Sequence, residues 1–306
     1  MNMLLEINDL NSYDIEFIFD TAIQHFNNSN VSNNSLYGKT IVNLFFESST
    51  RTLSSFEISA KSLGAHTVTI NVSTSSMNKG ESIIDTVLNI NAMNPDLIII
   101  RSQYSQFIKE ISKYLPNCHI INAGDGHHEH PTQALIDYCT IRYIKGKIHN
   151  LNISICGDIL HSRVARSNIR LLSRYGANIS IVAPPTLICN LKGVSHIHHN
   201  FVEGISDSDV IMLLRLQKER MTNFTISSEE EYAYLYMLNS ENLSYARSDV
   251  IVMHPGPTNK GVEISHYVAE KKSIILLQVK MGVAVRKAIL EYLLCHKLVK
   301  DMGNIT

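Results

Sequence analysis

No apolar run in this chain approaches the ~20 residues that cross a bilayer. Runs such as Leu97 to Ile100 and Ile274 to Leu277 are only four residues long, so a soluble protein is expected. The opening stretch MNMLLEINDLNSYD lacks a basic segment ahead of an apolar core and has no small-residue cleavage site. Export is therefore not expected, and a cytoplasmic location is. Cysteine is scarce: Cys118, Cys139, Cys156, Cys189 and Cys295 are odd in number, scattered and never spaced C-x-x-C. That argues against a disulfide framework and a cysteine zinc site, and predicts buried thiols. Net charge is nearly absent, with 27 Lys and Arg against 28 Asp and Glu, so no basic footprint for nucleic acid exists. Low-complexity linkers and short-period repeats are missing as well, which favours docked domains over separate beads.

What the chain does have is alternation. Its 306 residues suggest two domains at the usual ~150 residues per domain. Thr40 to Phe46, Thr67 to Val72, Leu97 to Ile100 and His119 to Ala123 read as strands separated by helical patterns. Leu151 to Cys156, Asn178 to Val182, Val210 to Leu214 and Val250 to Met253 read as a second strand set, and Val283 to Val299 as a closing helix. Continuous Ile/Val/Leu runs separated by helices mean parallel strands covered on both faces. The expected fold is α/β, two open and mostly parallel α/β sheet domains with a cleft between them, changing over near Pro131 to Gly146.

Parallel sheets bind ligands at the carboxyl ends of their strands, which directs attention to the strand exits. The first exit reads Phe45-Phe46-Glu47-Ser48-Ser49-Thr50-Arg51-Thr52. Hydroxyls and an arginine at a helix start add donors to free backbone N–H groups and the positive helix end, the makings of a phosphate site. Taken alone, the same residues also suit an N-cap followed by a surface arginine. The fourth exit, Asn122 to Gln133, holds three histidines and a glutamate. They crowd into one loop without the spacing of a metal site. Gly124-x-Gly126 has no third glycine at Glu129, so a dinucleotide fingerprint fails. His130, just before Pro131 at a helix entrance, reads as a hydrogen-bond donor to a polarised carbonyl oxygen; His127 and His128 read as solvated loop residues.

In the second half, Gly157 to Ser167 places Arg163 near a strand exit, and Met212 to Arg220 places Arg215 near another. Guanidinium groups there suit bidentate capture of carboxylates, although charged stretches of this kind also suit a solvated face. His254-Pro255-Gly256-Pro257-Thr258-Asn259-Lys260-Gly261-Val262-Glu263 follows the last strand with a backbone fixed by two prolines. Its carbonyls are placed to accept from an amide NH₂, and Val262-Glu263 rules out a P-loop.

Five segments in this order, F-F-E-S-S-T-R-T, H-P-T-Q, G-D-I-L-H-S-R-V-A-R-S, L-R-L-Q-K-E-R and H-P-G-P-T-N-K-G-V-E, resemble those of the aspartate carbamoyltransferase family, within the aspartate/ornithine carbamoyltransferase superfamily, over nearly the whole chain. The resemblance implies a carbamoyl-phosphate-binding domain formed by 1–132 and 286–306, an aspartate-binding domain at 133–285, and a homotrimer with shared active sites. It implies that Ser49, Thr50, Arg51, Thr52 and Arg101 hold the phosphate, and that His130, with Arg51 and Thr52, polarises the carbamoyl oxygen. Gln133 and the carbonyls of Gly256 and Pro257 would hold the carbamoyl NH₂. Arg163 and Arg215 would grip the carboxylates of aspartate with support from Gln217. Ser75 and Lys79 would reach into the neighbouring subunit's site, Lys79 also meeting aspartate. No metal or cofactor, nucleic acid or membrane enters this reading; a regulatory chain or a dihydroorotase partner is left open.

Leu53 stands where many members carry arginine, and Lys260 keeps a charge but loses the planar fork of the usual arginine. An ornithine carbamoyltransferase would be expected to carry His-Cys-Leu-Pro where this chain has His254-Pro255-Gly256-Pro257. A third reading, an inactive scaffold on the same fold, is opposed by the intact Arg51, His130, Arg163 and Arg215.

Overall fold

A computed structural model of the chain describes residues 3–28, 33–71, 82–221 and 226–296. The chain divides into two compact units, Met1–Cys139 with Lys280–Thr306, and Thr140–Val279. Each unit is built on its own five-stranded sheet, and every pairing in both sheets is parallel.

The first sheet contains β1 (Met3–Leu4), β2 (Thr40–Phe45), β3 (His66–Asn71), β4 (Leu97–Ser102) and β5 (His119–Asp125), in the spatial order β1-β5-β4-β2-β3. Its core follows from composition, since Leu97, Ile98, Ile99 and Ile100 of β4 are completely buried, as an unbroken apolar strand covered on both faces must be. The helices of this unit are α1 (Ser12–Asn27), α2 (Thr50–Ser62), α3 (Ile83–Ala92) and α4 (Phe107–Ser112). α1 begins with a reciprocal capping box between Asn11 and Asp14, and the Ser82 hydroxyl caps α3 at Asp85, each satisfying donors that a helix start leaves free.

The second sheet contains β6 (Asn152–Cys156), β7 (Asn178–Val182), β8 (His196–His198), β9 (Val210–Leu213) and β10 (Ile251–Met253), in the order β10-β9-β6-β7-β8. Its helices include α6 (Arg163–Arg174), α7 (Phe201–Ile205), α8 (Glu229–Tyr236), α9 (Ser240–Leu243) and α10 (His266–Lys271). The chain passes from one unit to the other inside α5 (Pro131–Lys145) and returns inside α11 (Ile275–Glu291). The borders lie at Cys139/Thr140 and Val279/Lys280, in the same two helices that the sequence reading divided at other residues. A border inside a continuous helix leaves no compositional mark.

Both sheets have a switch point, where the chain stops adding strands on one side and starts on the other. In the first it lies between β2 and β4, because β3 follows β2 outward and the chain then crosses back. In the second it lies between β6 and β9. Ligand crevices form at such places.

The eight expected strands are present, most with an end moved by one or a few residues; β5, for example, runs on to Asp125, β7 matches its expected bounds, and Val72, expected to end β3, lies outside the described residues. Two edge strands went unforeseen. β1 has only two residues, and β8 is a largely exposed His-Ile-His, so neither carries an apolar run. The closing helix needs correction: it begins at Ile275 rather than Val283, because Ile274 to Leu277 belongs to its entrance, and it gives way to a π-type turn at Tyr292–His296. Lys297 to Val299 lie outside the described residues.

Candidate active site

In the first unit, β2 delivers the chain through Glu47-Ser48-Ser49 into α2. Ser49 occupies the N-cap position, yet its side chain makes no capping hydrogen bond. Its hydroxyl is therefore not spent on the helix start, where backbone donors and the helix dipole favour an anion. Thr52 is buried, whereas Thr50 and Arg51 are exposed. Arg51 is shielded enough for burial to lower its pKa.

Arg101 lies on the other flank of the same switch point, paired in register with Phe45 of β2. Its Nη2 meets Glu47 Oε1 at 2.6 Å, and its Nη1 donates to the Ala123 carbonyl at 2.9 Å. The guanidinium is thus fixed by the β2 exit and by β5 before any ligand arrives. Sequence reading assigned no role to Glu47, although it sits within the F-F-E-S-S-T-R-T segment.

His130 directly precedes α5, which opens on Pro131, a residue suited to a helix start because its missing N–H is not needed there. His130 is 4% exposed, and its Nδ1 lies 3.4 Å from Thr132 Oγ1. The loop before it closes tightly: Asp125 N–H donates to the Glu129 carbonyl at 3.1 Å, and Glu129 N–H donates to Asp125 Oδ1 at 3.0 Å. Gly126 has φ +47°, and a Cβ there would collide with Ser105. His128 is not solvated as expected; its side chain is 17% exposed and its Nδ1 lies 3.4 Å from Asp125. The close contact with the Asp125 carboxylate raises its pKa against the opposing effect of burial. His127 is half-buried and held through its backbone N–H by Ser105 Oγ. One turn into α5, Gln133 Nε2 donates to Asp137 Oδ1 at 2.9 Å, leaving Oε1 as its free acceptor.

In the second unit, β6 exits through Gly157-Asp158 and the Ser162 hydroxyl caps α6 at Ala165 N–H, 3.1 Å away. This puts Arg163, 7% exposed, at the first helical position. β9 exits through Arg215 and Gln217. The two exits touch at Gly157, where φ is +120° and a Cβ would lie 2.5 Å from the Leu214 carbonyl oxygen. Asp158, fully buried, accepts from the Gln217 N–H at 3.2 Å and lies 2.9 Å from His161 Nδ1. Arg220 Nη1 donates to the His161 carbonyl at 3.1 Å. Two hydrogen-bonded links therefore fasten the β9 exit to the β6 exit.

Arg215 has a partner of its own. Its Nη1 donates to Glu219 Oε2 at 3.1 Å and its Nη2 pairs with Glu219 Oε1. The hydrogen bond to Glu219 raises the Arg215 pKa; burial pushes Glu219 upward, but the arginine outweighs it and leaves Glu219 below its ordinary value.

After β10, His254 is buried. Its Nδ1 accepts from Gly256 N–H at 2.8 Å, so its Nε2 is the donor toward Glu263 Oε1 at 3.1 Å. Glu263 Oε1 also accepts from Asn259 N–H, and Gln278 Oε1 from His254 N–H. These bonds hold the His254 to Asn259 turn, whose Gly256–Pro257 peptide is cis. Lys260 pairs with Glu270 at 2.8 Å on the surface, away from these contacts. Ser75 and Lys79 lie outside the described residues. Among those described, no group of three His, Cys, Asp or Glu residues is arranged to hold a metal, and no helix is long and apolar enough to cross a membrane.

Each unit thus presents arginines and hydroxyl or amide groups at the switch point of a parallel sheet, which defines the class: an α/β enzyme for anionic substrates. The model for the aspartate/ornithine carbamoyltransferase carbamoyl-P binding domain matches residues 2–143, and that for the Asp/Orn binding domain of the same family matches residues 149–293. The chain belongs to the aspartate/ornithine carbamoyltransferase family.

An aspartate carbamoyltransferase catalytic subunit from Ehrlichia chaffeensis is 76% identical, across 97% of this chain and 99% of its own length. One from Anaplasma marginale is 54% identical, across 96% and 99%. The fold superposes on the aspartate transcarbamoylase of Trypanosoma cruzi in complex with carbamoyl phosphate and aspartate, with a TM-score of 0.86, 31% identity and coverage of 94% and 95% of the two chains.

Proposed function

We propose that the chain transfers the carbamoyl group of carbamoyl phosphate to the amine of L-aspartate, giving N-carbamoyl-L-aspartate and phosphate, an early step of pyrimidine biosynthesis. The observation that carries this reading is Arg215 on the β9 exit, tied through Gln217 and Asp158 to the exit that carries Arg163. Two guanidinium groups there suit a dicarboxylate amine, whereas the side-chain ammonium of ornithine would be repelled.

A phosphate and two carboxylates bring roughly four negative charges into one site, and removing them from water unpaired would be prohibitive. In this reading Ser49, Thr50, Arg51, Thr52 and Arg101 hold the phosphate at the start of α2. His130 donates to the carbamoyl oxygen with help from Arg51 and Thr52. Gln133 Oε1 and the carbonyls of Gly256 and Pro257 accept from the carbamoyl NH₂. The neutral aspartate amine attacks the carbamoyl carbon, His130, Arg51 and Thr52 hold the oxyanion, and phosphate leaves with the electron pair of the broken C–O bond and takes up the proton that the amine gives up. Positioning and electrostatic preorganisation carry most of the rate.

We further propose that the enzyme is a cytoplasmic homotrimer in which Ser75 and Lys79 complete a neighbour's site. Purified protein should form N-carbamoyl-L-aspartate without added metal; activity abolished by a chelator and restored by zinc would overturn the assignment. For sharing, Lys79→Ala and His130→Ala trimers should each be nearly inactive. Refolded together at equal ratio, about a quarter of the sites should regain both residues. No recovery in verified hybrid trimers would exclude shared sites.

A further inference from the structure

The carboxylate of Asp137 is completely buried on α5, one turn beyond Gln133, and it accepts from Gln133 Nε2 at 2.9 Å. A primary amide can present either end to a ligand, and what decides is the neighbour that claims the other end. An ionised carboxylate can only accept, so it claims the NH₂ and turns the carbonyl outward. A neutral group in its place could donate as well, and the amide would be free to turn over.

A buried carboxylate needs a reason to remain ionised. One opposite charge acting near it is that of Arg286 on α11, which is 3% exposed. Arg286 is placed unusually for an arginine. Its guanidinium lies 4.8 Å from the ring centroid of Phe56, its Nε has no hydrogen-bond partner, and its Nη1 comes within 3.3 Å of where a Cβ on Gly282 would stand. Burial lowers its pKa to about 9 and the nearby charge of Arg51 acts the same way, while Asp137 opposes both. Buried opposite charges are weak contributors to stability, and apolar residues of similar volume commonly serve as well. Their presence next to an amide proposed to bind substrate points to function.

We propose that Asp137, with the charge of Arg286 acting near it, positions Gln133: the Asp137 side chain accepts from Gln133 Nε2, and Gln133 Oε1 is thereby presented to the carbamoyl NH₂. The pair touches no substrate; it selects NH₂ over a group that cannot donate. The inference rests on carbamoyl phosphate being the substrate.

Acetyl phosphate tests it, because it keeps the phosphate and the carbonyl and replaces the NH₂ by a methyl group. Wild type is measured first, for turnover of carbamoyl phosphate and for inhibition by acetyl phosphate and by inorganic phosphate. Failure to use carbamoyl phosphate at this stage would remove the substrate reading and the pair's role with it. In Asp137→Asn, KM for carbamoyl phosphate should rise about tenfold, the loss of roughly one hydrogen bond to a reoriented amide. The inhibition constants for acetyl phosphate and phosphate should move less than about twofold, so discrimination narrows by the same tenfold. Arg286→Met should behave alike, and Arg286→Lys should restore part of the preference. The double variant Asp137→Asn/Arg286→Met leaves no uncompensated charge and guards against misfolding; it should show the same narrowed preference and no additive second loss. A variant that folds and keeps full discrimination, or that loses carbamoyl, acetyl and inorganic phosphate equally, overturns the proposal.

Discussion

Replacing Arg215 by alanine should damage the use of aspartate while sparing carbamoyl phosphate. A guanidinium has five N–H donors. Glu219 takes the end of the group, through Nη1 at 3.1 Å and through Nη2, and the Leu216 carbonyl takes a further Nη1 hydrogen at 3.3 Å. That leaves the side edge, Nε and the outer hydrogen of Nη2, for a ligand carboxylate. Two charge-assisted bonds at that edge, discounted because the side chain is 27% exposed, amount to about 2–4 kcal/mol. The corresponding fall in kcat/KM for aspartate at saturating carbamoyl phosphate is ~30- to ~1000-fold. Calorimetric binding of carbamoyl phosphate alone should change by less than about threefold, about 0.7 kcal/mol. The preference for aspartate over asparagine should shrink, since the variant no longer has the fork that recognises a carboxylate. Arg215→Lys should fall between the two, as an ammonium cannot serve Glu219 and a ligand with matching planar edges. Equal losses for both substrates, or an unaltered aspartate preference, would refute the role assigned to Arg215.

Glu219 is half-exposed, so it acts as a modest orienting partner: Glu219→Gln should raise KM for aspartate about two- to fivefold, the range of an exposed ion pair, and leave carbamoyl-phosphate binding unchanged in the same assays. Gly157→Ala should destabilise the second unit by about 1–3 kcal/mol or more in denaturant titrations, because the residue adds a strained positive φ to a collision with Leu214. His128 has a folded pKa raised by Asp125, so its contribution to stability is complete below about pH 6.5, the unfolded value, and is lost as pH rises through the higher folded value. The stability difference between wild type and His128→Gln should therefore shrink from pH 6 toward pH 8, and NMR titration of His128 should place its midpoint above that of a model peptide. A midpoint at or below the peptide value would remove the Asp125 interaction from the account.

The groups proposed to meet substrate were legible in the sequence because each sits in a short local pattern at the end of an apolar run: Arg51 after β2, Arg163 after β6, Arg215 after β9. Their partners were not, and the reason is physical. Glu47 and Glu219 lie within quoted segments, but whether a glutamate faces its neighbouring arginine or the solvent depends on how the strand exit curls, and spacing alone leaves that open. Asp137 and Arg286 are harder still. A charged residue on a helix is ordinarily solvent-facing, since burying it unpaired is costly, so each reads as surface when taken singly. Only the packing of α11 near the start of α2, with Arg286 over Phe56, makes both of them interior. The sequence of α5 points the wrong way: Gln133, Asp137 and Thr140 recur at i, i+4 and i+7, the spacing of an ordinary solvated stripe. In the fold all three are buried together with Ala134, Leu135, Ile136, Tyr138, Cys139 and Ile141. A polar stripe turned inward must find its partners within the protein, and the carboxylate one turn after Gln133 finds one in the amide of Gln133 itself.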